Sequence, residues 1–288
     1  MSQKTLGAAL MIAGVTVGAG MLALPMTSSE MGFLKSAALL SGLWLYMVIV
    51  ALIMVEISHG KPLSIAALAK KRLGPIGKHV AAGSLLVLFW ALLAAYISGG
   101  SSFLSNDLQW NAQVSSIVYV VLFGACAVAC TKLVDYANRF LFIVKVTVFA
   151  VMIFGLFPMI SLENLKPREL HSVSSFLKAI PVFFTSFGFH GSIPTLVGYL
   201  DGSRKNLYRA VIWGSFIPLV VYVLWQSVTL GVLGDQFTSF HSLSGFIQVL
   251  TQTIGNQTFK ILADVFGFFA ITTSFLGVAL GLFNYVTE

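Results

Sequence analysis

Two stretches punctuated by glycine and proline hold the residues most able to do chemistry in this chain. The first is Gly14-Val-Thr-Val-Gly-Ala-Gly-Met-Leu-Ala-Leu-Pro25, and the second is Ser186-Phe-Gly-Phe-His-Gly-Ser-Ile-Pro194. Each glycine weakens a helix by roughly 1 kcal/mol relative to alanine, and proline removes a backbone donor. Both stretches lie within apolar runs, so each predicts a helix that is interrupted part-way. A half-helix beginning near Gly20 aims amide N–H groups and its positive end into the break, which suits a carboxylate. A half-helix ending near Phe187 presents unpaired carbonyls and a negative end, which suits an ammonium group. Together the two breaks match the charged ends of an α-amino acid. The plainer alternative is a pair of glycine-rich helices that merely pack closely.

The elements that would position these breaks follow from composition. Of 288 residues, 57% are apolar and 9% charged, with 13% aromatic and a mean hydropathy of +0.91. A soluble domain carries about 25% charged residues, so too little polar surface exists to cover a globule in water. An integral membrane protein is the reading that remains. Crossing the hydrocarbon takes about 20 largely apolar residues. The candidate stretches are 5–29, 36–55, 80–106, 108–131, 140–159, 179–200, 210–234 and 265–287, eight spans in all. A membrane barrel is excluded, because its strands would be short and would alternate in polarity.

The net charge of +7 would suggest nucleic acid in a soluble protein, but here cytoplasmic loops rich in Lys and Arg explain it. With the N-terminus in the cytoplasm, twelve basic residues fall inside and five outside. Residues 64–78 mix Ile65, Leu68, Ala69 and Leu73 with basic residues, as a short helix on the inner leaflet or a solvated basic loop would. Cys126 and Cys130 sit one helical turn apart in an apolar block and read as packing residues. No disulfide framework or metal cluster can be built from them. No nucleophile–base pair stands out either, so the chain does not read as an enzyme. A channel would need rings of selectivity groups, whereas two asymmetric broken helices fit a closed central site.

Matching interruptions in two halves of a membrane chain are the sequence pointer to a secondary transporter's binding site. Five spans precede the second interruption, and an odd number per repeat forces the second copy into inverted topology. The residues then resemble a known family, the hydroxy/aromatic amino acid permeases. The likeness is carried by the run from Ala13 to Pro25 and by Ala94-Ala-Tyr-Ile-Ser-Gly99. It is carried also by Asn138-Arg-Phe-Leu-Phe142, by the run from Ile180 to Pro194, and by Thr273-Ser-Phe-Leu-Gly-Val-Ala-Leu-Gly-Leu-Phe283. Within the family the similarity is greatest to tyrosine-specific members. It implies an all-α membrane domain of the LeuT-type inverted-repeat fold, with residues 1–160 as the first five-helix repeat and 173–288 as an incomplete second one. It further implies uptake of L-tyrosine or another aromatic amino acid by proton symport through a bacterial inner membrane. No cofactor is expected beyond the proton motive force, and no nucleic acid or obligatory protein partner. Family members have more spans than the eight here, so a fragment or a shortened, non-transporting permease is the alternative.

Within that reading, Thr16, Gly18, Ala19 and Gly20 form the first half of the substrate site. Phe187, Gly188, Phe189, His190 and Gly191 form the second. Phe187 and Phe189 suit ring stacking with an aromatic substrate, or else face lipid like most of the 24 phenylalanines. His190 either touches substrate or caps freed carbonyls. Tyr96 either closes over the substrate or belongs to an interfacial belt. Lys145, six residues into the fifth span, is costly there unless it snorkels or is partnered. By resemblance it takes the place of a sodium ion, opposite carbonyls near Ala13 and the hydroxyls of Thr272, Thr273 and Ser274. A sodium-coupled carrier is the alternative should Lys145 lie outside the core. Asp264 and Glu56 are weaker coupling candidates.

Overall fold

The computed structural model describes residues 1–129, 131–166, 173–234 and 243–287. Among these residues the secondary structure is helical throughout, with no strand. Eleven α-helices follow in order: α1 (Gln3–Thr16), α2 (Gly20–Ser28), α3 (Phe33–Ser58), α4 (Ile65–Leu108), α5 (Ala112–Ala129) and α6 (Thr131–Leu156). After them come α7 (Val173–Ser186), α8 (Ile193–Tyr199), α9 (Arg204–Leu233), α10 (Leu243–Ile254) and α11 (Gln257–Thr287). Four of them, α3, α4, α9 and α11, are long and apolar enough to cross a membrane, as is the segment Phe176–Tyr199. The bent pair α1 and α2 makes a sixth crossing if taken as one span, and Ala112–Cys126 and Ile143–Met159 are shorter apolar helices. This is a multi-pass membrane protein.

Local signals start and stop these elements. Ser2 Oγ accepts from the Thr5 amide at 3.2 Å to cap α1, and Ser64 Oγ accepts from the Ala67 amide at 3.3 Å to cap α4. His59 and Gly60, both with positive φ, end α3. The 64–78 segment is helical, with a kink at Gly74 (φ 76°) before Pro75. Ala66 and Leu68 are buried, while Lys70, Lys71 and Arg72 are exposed. Arg72 reaches the Ile57 carbonyl and the His59 ring, fastening this helix to the end of α3. Of the two cysteines, Cys126 is half-buried and Cys130 lies outside the described residues.

The helices that matter for the site pack around α9 and α11. The first half-helix, α1, lies along α9; α2 lies along α7; α11 packs on α6 and α4. Dispersion and hydrogen bonds must drive this association, because lipid is as apolar as the side chains. Gly214 lets α9 meet α1: a Cβ there would stand 2.7 Å from the Ala9 carbonyl oxygen and 2.8 Å from Ile12 Cβ. Gly214→Leu is therefore expected to lower the thermal midpoint of the purified protein by roughly 2–10 °C. An unchanged melt would contradict that packing. Polar contacts fix the register: Gln226 Nε2 donates to Ser28 Oγ at 2.8 Å, and Trp44 Nε1 donates to Ser215 Oγ at 3.1 Å. At the end bearing the N-terminus, Lys4 pairs with Asp201 at 3.0 Å, and Glu56 pairs with Arg204 and the Tyr208 hydroxyl.

Candidate functional site

Both interruptions fall within the glycine-rich stretches. The helix α1 ends at Thr16, with the Val17 amide bonded back to the Ala13 carbonyl at 2.9 Å; the chain turns through Gly18 and Ala19, and α2 restarts at Gly20. The two half-helices are bent by 57°. Likewise α7 ends at Ser186, a 3-10 turn spans Phe189–Ser192, and α8 starts at Ile193 with Pro194 in its first turn. Proline suits that place because its missing N–H would be unpaired there anyway.

Backbone freed at depth needs partners, and here side chains from other helices supply them. The Ala19 amide donates to Ser274 Oγ on α11 at 2.9 Å. Lys145 on α6, only 3% exposed, donates from Nζ to the Val17 carbonyl at 2.7 Å. The Tyr222 hydroxyl on α9 lies 2.6 Å from the Thr16 carbonyl oxygen and 2.8 Å from that of Ser186. The first break thus draws on α6, α9 and α11 at once.

Gly18 and Gly20 are demanded by closeness rather than by φ. A Cβ on Gly18 would stand 2.5 Å from Ser274 Oγ, and one on Gly20 would stand 2.8 Å from Ser186 Oγ and 3.2 Å from Ser186 Cα. The start of α2 is therefore pressed against the end of α7, and the two breaks share one locality.

A cavity of about 1680 Å³ opens between them. Its wall includes Thr16, Val17, Gly18, Ala19 and Gly20 from the first break, Ser186, Gly188 and Gly191 from the second, Tyr96 and Gly99 from α4, Lys145 from α6, and Thr273 and Ser274 from α11. It continues past Gly14 to Gly7 and past Gly281 to Tyr285, and in the other direction reaches Met26.

The structure brings together Thr16, Gly18, Ala19, Gly20, Tyr96, Gly188, Gly191, Lys145, Thr273 and Ser274 around this cavity. Phe187, Phe189, His190 and Thr272 are not among the lining residues. Phe187 is fully buried with its ring 5.3 Å from that of Tyr222, and Phe189 is fully buried with its ring stacked 4.7 Å from His190. The His190 Nε2 atom lies 3.0 Å from the Met47 carbonyl of α3. Thr272 Oγ1 accepts from Tyr119 on α5 at 3.4 Å. Thr273 Oγ1 bonds back to the Phe269 carbonyl of its own helix at 2.9 Å. Tyr96 is half-buried, with its hydroxyl against that of Ser274. The Lys145 contact is with Val17 at the break itself, one turn beyond Ala13. Glu56 is held in the ion pair near the N-terminal end, and Asp264 lines a separate polar pocket beside Gln248, Gln252 and Lys260. Among the described residues, no group of three or more His, Cys, Asp or Glu is placed to hold a metal ion.

Tyr222 escaped the sequence reading. It is one of 8 tyrosines in an unbroken apolar run, and only the folded packing of α9 against both breaks reveals it. The nearest signal was Pro218 one turn earlier, a second mark of irregularity on the helix that flanks the first.

A membrane protein with two interrupted helices facing one internal cavity has the architecture of a carrier. A profile of the tryptophan/tyrosine permease family matches residues 1–288, and the chain belongs to that family. It is 38% identical to "Tyrosine-specific transport system 1" of Haemophilus influenzae, over 99% of this chain and 73% of that protein. It is 30% identical to "Glutamine transporter 2" of Aliivibrio fischeri, over 99% of this chain and 75% of the relative. A "Tryptophan-specific transport protein" of Haemophilus influenzae is 28% identical, over 100% of this chain and 74% of the relative. The chain thus spans about three quarters of the length of these relatives.

Proposed function

We propose that the protein is a secondary active transporter that imports an aromatic amino acid, tyrosine first, by proton symport. The observation that carries this reading is the cavity walled by both helix breaks, with Lys145 seated on the carbonyl of the first. The start of α2 at Gly20 offers amides and a positive helix end to a carboxylate. The carbonyl ends of α1 and α7 offer a negative pole to an ammonium group. In this reading Thr16, Gly18, Ala19, Gly20, Gly188 and Gly191 hold the amino acid backbone, and Tyr96 flanks its side chain. Phe187, Phe189 and His190 support the second break from behind the wall. The preference for tyrosine leans on the relatives, 38% identity to a tyrosine transport system against 30% and 28% to those named for glutamine and tryptophan.

Coupling by protons rests on Lys145, with Ser274 and Thr273 on the same cavity wall. An ammonium group bonded to a break carbonyl already fills a seat that a coupling cation would otherwise take, which weighs against the sodium-coupled version. The finer fold proposal is a LeuT-type inverted repeat with eight spans, residues 1–160 against residues 173–288, first and sixth helices broken. The proposed setting is a bacterial inner membrane with the N-terminus cytoplasmic. The twelve-to-five distribution of basic residues supports that orientation.

The test is uptake into proteoliposomes. Under an inward proton gradient, labelled tyrosine is expected to accumulate above equilibrium, to collapse with a protonophore, and to be competed by phenylalanine and tryptophan more than by glutamine or serine. Stronger competition by glutamine would reassign the substrate. Neither binding nor uptake of any of these would overturn the transporter reading for this chain.

A further inference from the structure

The last carbonyls of α1 and α7 lack the amide four residues on that a continuing helix would supply. Both are negative helix ends, and they converge on a single phenol, that of Tyr222, which is 0% exposed. Two like poles facing each other in a membrane interior repel unless a donor stands between them. One hydroxyl carries one proton, so it donates to Thr16 or to Ser186 at a given moment. The distances of 2.6 and 2.8 Å make the two seats nearly equivalent. The bond can therefore pass from one carbonyl to the other without either half-helix end losing contact with the phenol. The Phe187 ring packed at 5.3 Å holds the phenol ring in place.

We infer that Tyr222 is a positioning residue that ties the two breaks together when no substrate bridges them. The inference rests on the transporter reading above. In the loaded carrier the substrate's charged ends link both breaks; in the empty carrier the hydrogen-bonded link between the two carbonyl ends falls to Tyr222, beside the packing of α2 on α7. Its loss should then harm the return of the empty carrier more than the movement of the loaded one.

The experiment compares two rates in the same proteoliposomes. Exchange of labelled for unlabelled tyrosine uses only the loaded carrier, while net uptake also needs the empty one to return. For Tyr222→Phe, net uptake is expected to fall roughly tenfold or more with exchange within about threefold of wild type, in line with leaving buried carbonyls unpaired. A merely structural loss would lower both rates together, because it removes folded molecules. Equal loss of the two, or no loss of either, would overturn the inference. Should Tyr222→Phe fail to insert, Phe187→Leu carries the test: it keeps the hydroxyl but removes its packing surface, and the same split is expected in smaller measure, with equal loss again the contrary result. Wild-type protein that neither binds nor exchanges tyrosine would instead defeat the transporter reading itself.

Discussion

Replacing Lys145 by alanine is expected to reduce gradient-driven tyrosine accumulation by roughly ten- to a hundredfold. The ammonium is almost wholly buried and gives a 2.7 Å bond to the Val17 carbonyl. A hydrogen bond to a charged group contributes about 1.5–3 kcal/mol, and its removal also leaves a break carbonyl to find another donor. Lys145→Arg separates bonding from coupling. Arginine can donate to the same carbonyl, but it does not give up its proton in proteins. Exchange of tyrosine should then persist better than accumulation against a gradient. Accumulation at wild-type level in either variant would remove Lys145 from the coupling step and reopen the search among Glu56 and Asp264.

The second large effect is expected at Gly20. An added Cβ would stand 2.8 Å from Ser186 Oγ and 3.2 Å from Ser186 Cα, and the second of these is backbone that can yield only by moving α7. Gly20→Ala should weaken tyrosine binding about tenfold, and Gly20→Val, whose branched methyls fill the same gap, should abolish measurable binding while the protein still inserts. Gly42, on α3 and not among the residues lining the cavity, is the internal control. A Cβ there meets nothing within 4 Å, so Gly42→Ala should bind tyrosine as wild type does. A scintillation proximity assay on purified protein reads all three. Wild-type affinity in Gly20→Val would mean that the approach of α2 to α7 is not what shapes the site.

Much of this arrangement could be read from residue types alone. The breaks at 17–19 and 187–192 were legible because glycine and proline act locally, through backbone entropy and a missing donor, whatever surrounds them. Lys145 was legible for the complementary reason, since a charge at depth must find a partner, but the identity of that partner was set by where α1 actually ends. Ser274 and Thr272 look equivalent in the sequence, two residues apart in one hydroxyl cluster. On a helix they point about 200° apart, so one caps Ala19 and the other meets Tyr119. Phe187 and Phe189 were harder to read, because direction is not periodic inside a break; the Phe187 ring packs on Tyr222 and the Phe189 ring on His190. The helix α10 gave little warning. It is 12 residues long, too short to register as a span, and it alternates Phe246, Ile247 and Leu250 with Gln248 and Gln252.

The bond between Tyr222 and the end of α1 also has a meaning during synthesis. It joins residues 206 positions apart, and the Gln226–Ser28 bond joins residues 198 apart. At about 5–20 residues per second, a ribosome needs roughly 10–40 s to make the intervening chain. Through that interval the first broken helix has been made while the side chains that complete it do not yet exist. Its free backbone groups must be served by water or by whatever machinery holds the nascent chain, until α9 brings Tyr222 to the Thr16 carbonyl and α11 brings Ser274 to the Ala19 amide. The candidate site is therefore finished late, once Ser274 on α11 reaches Ala19 across 255 positions, although its first half is among the first to be translated.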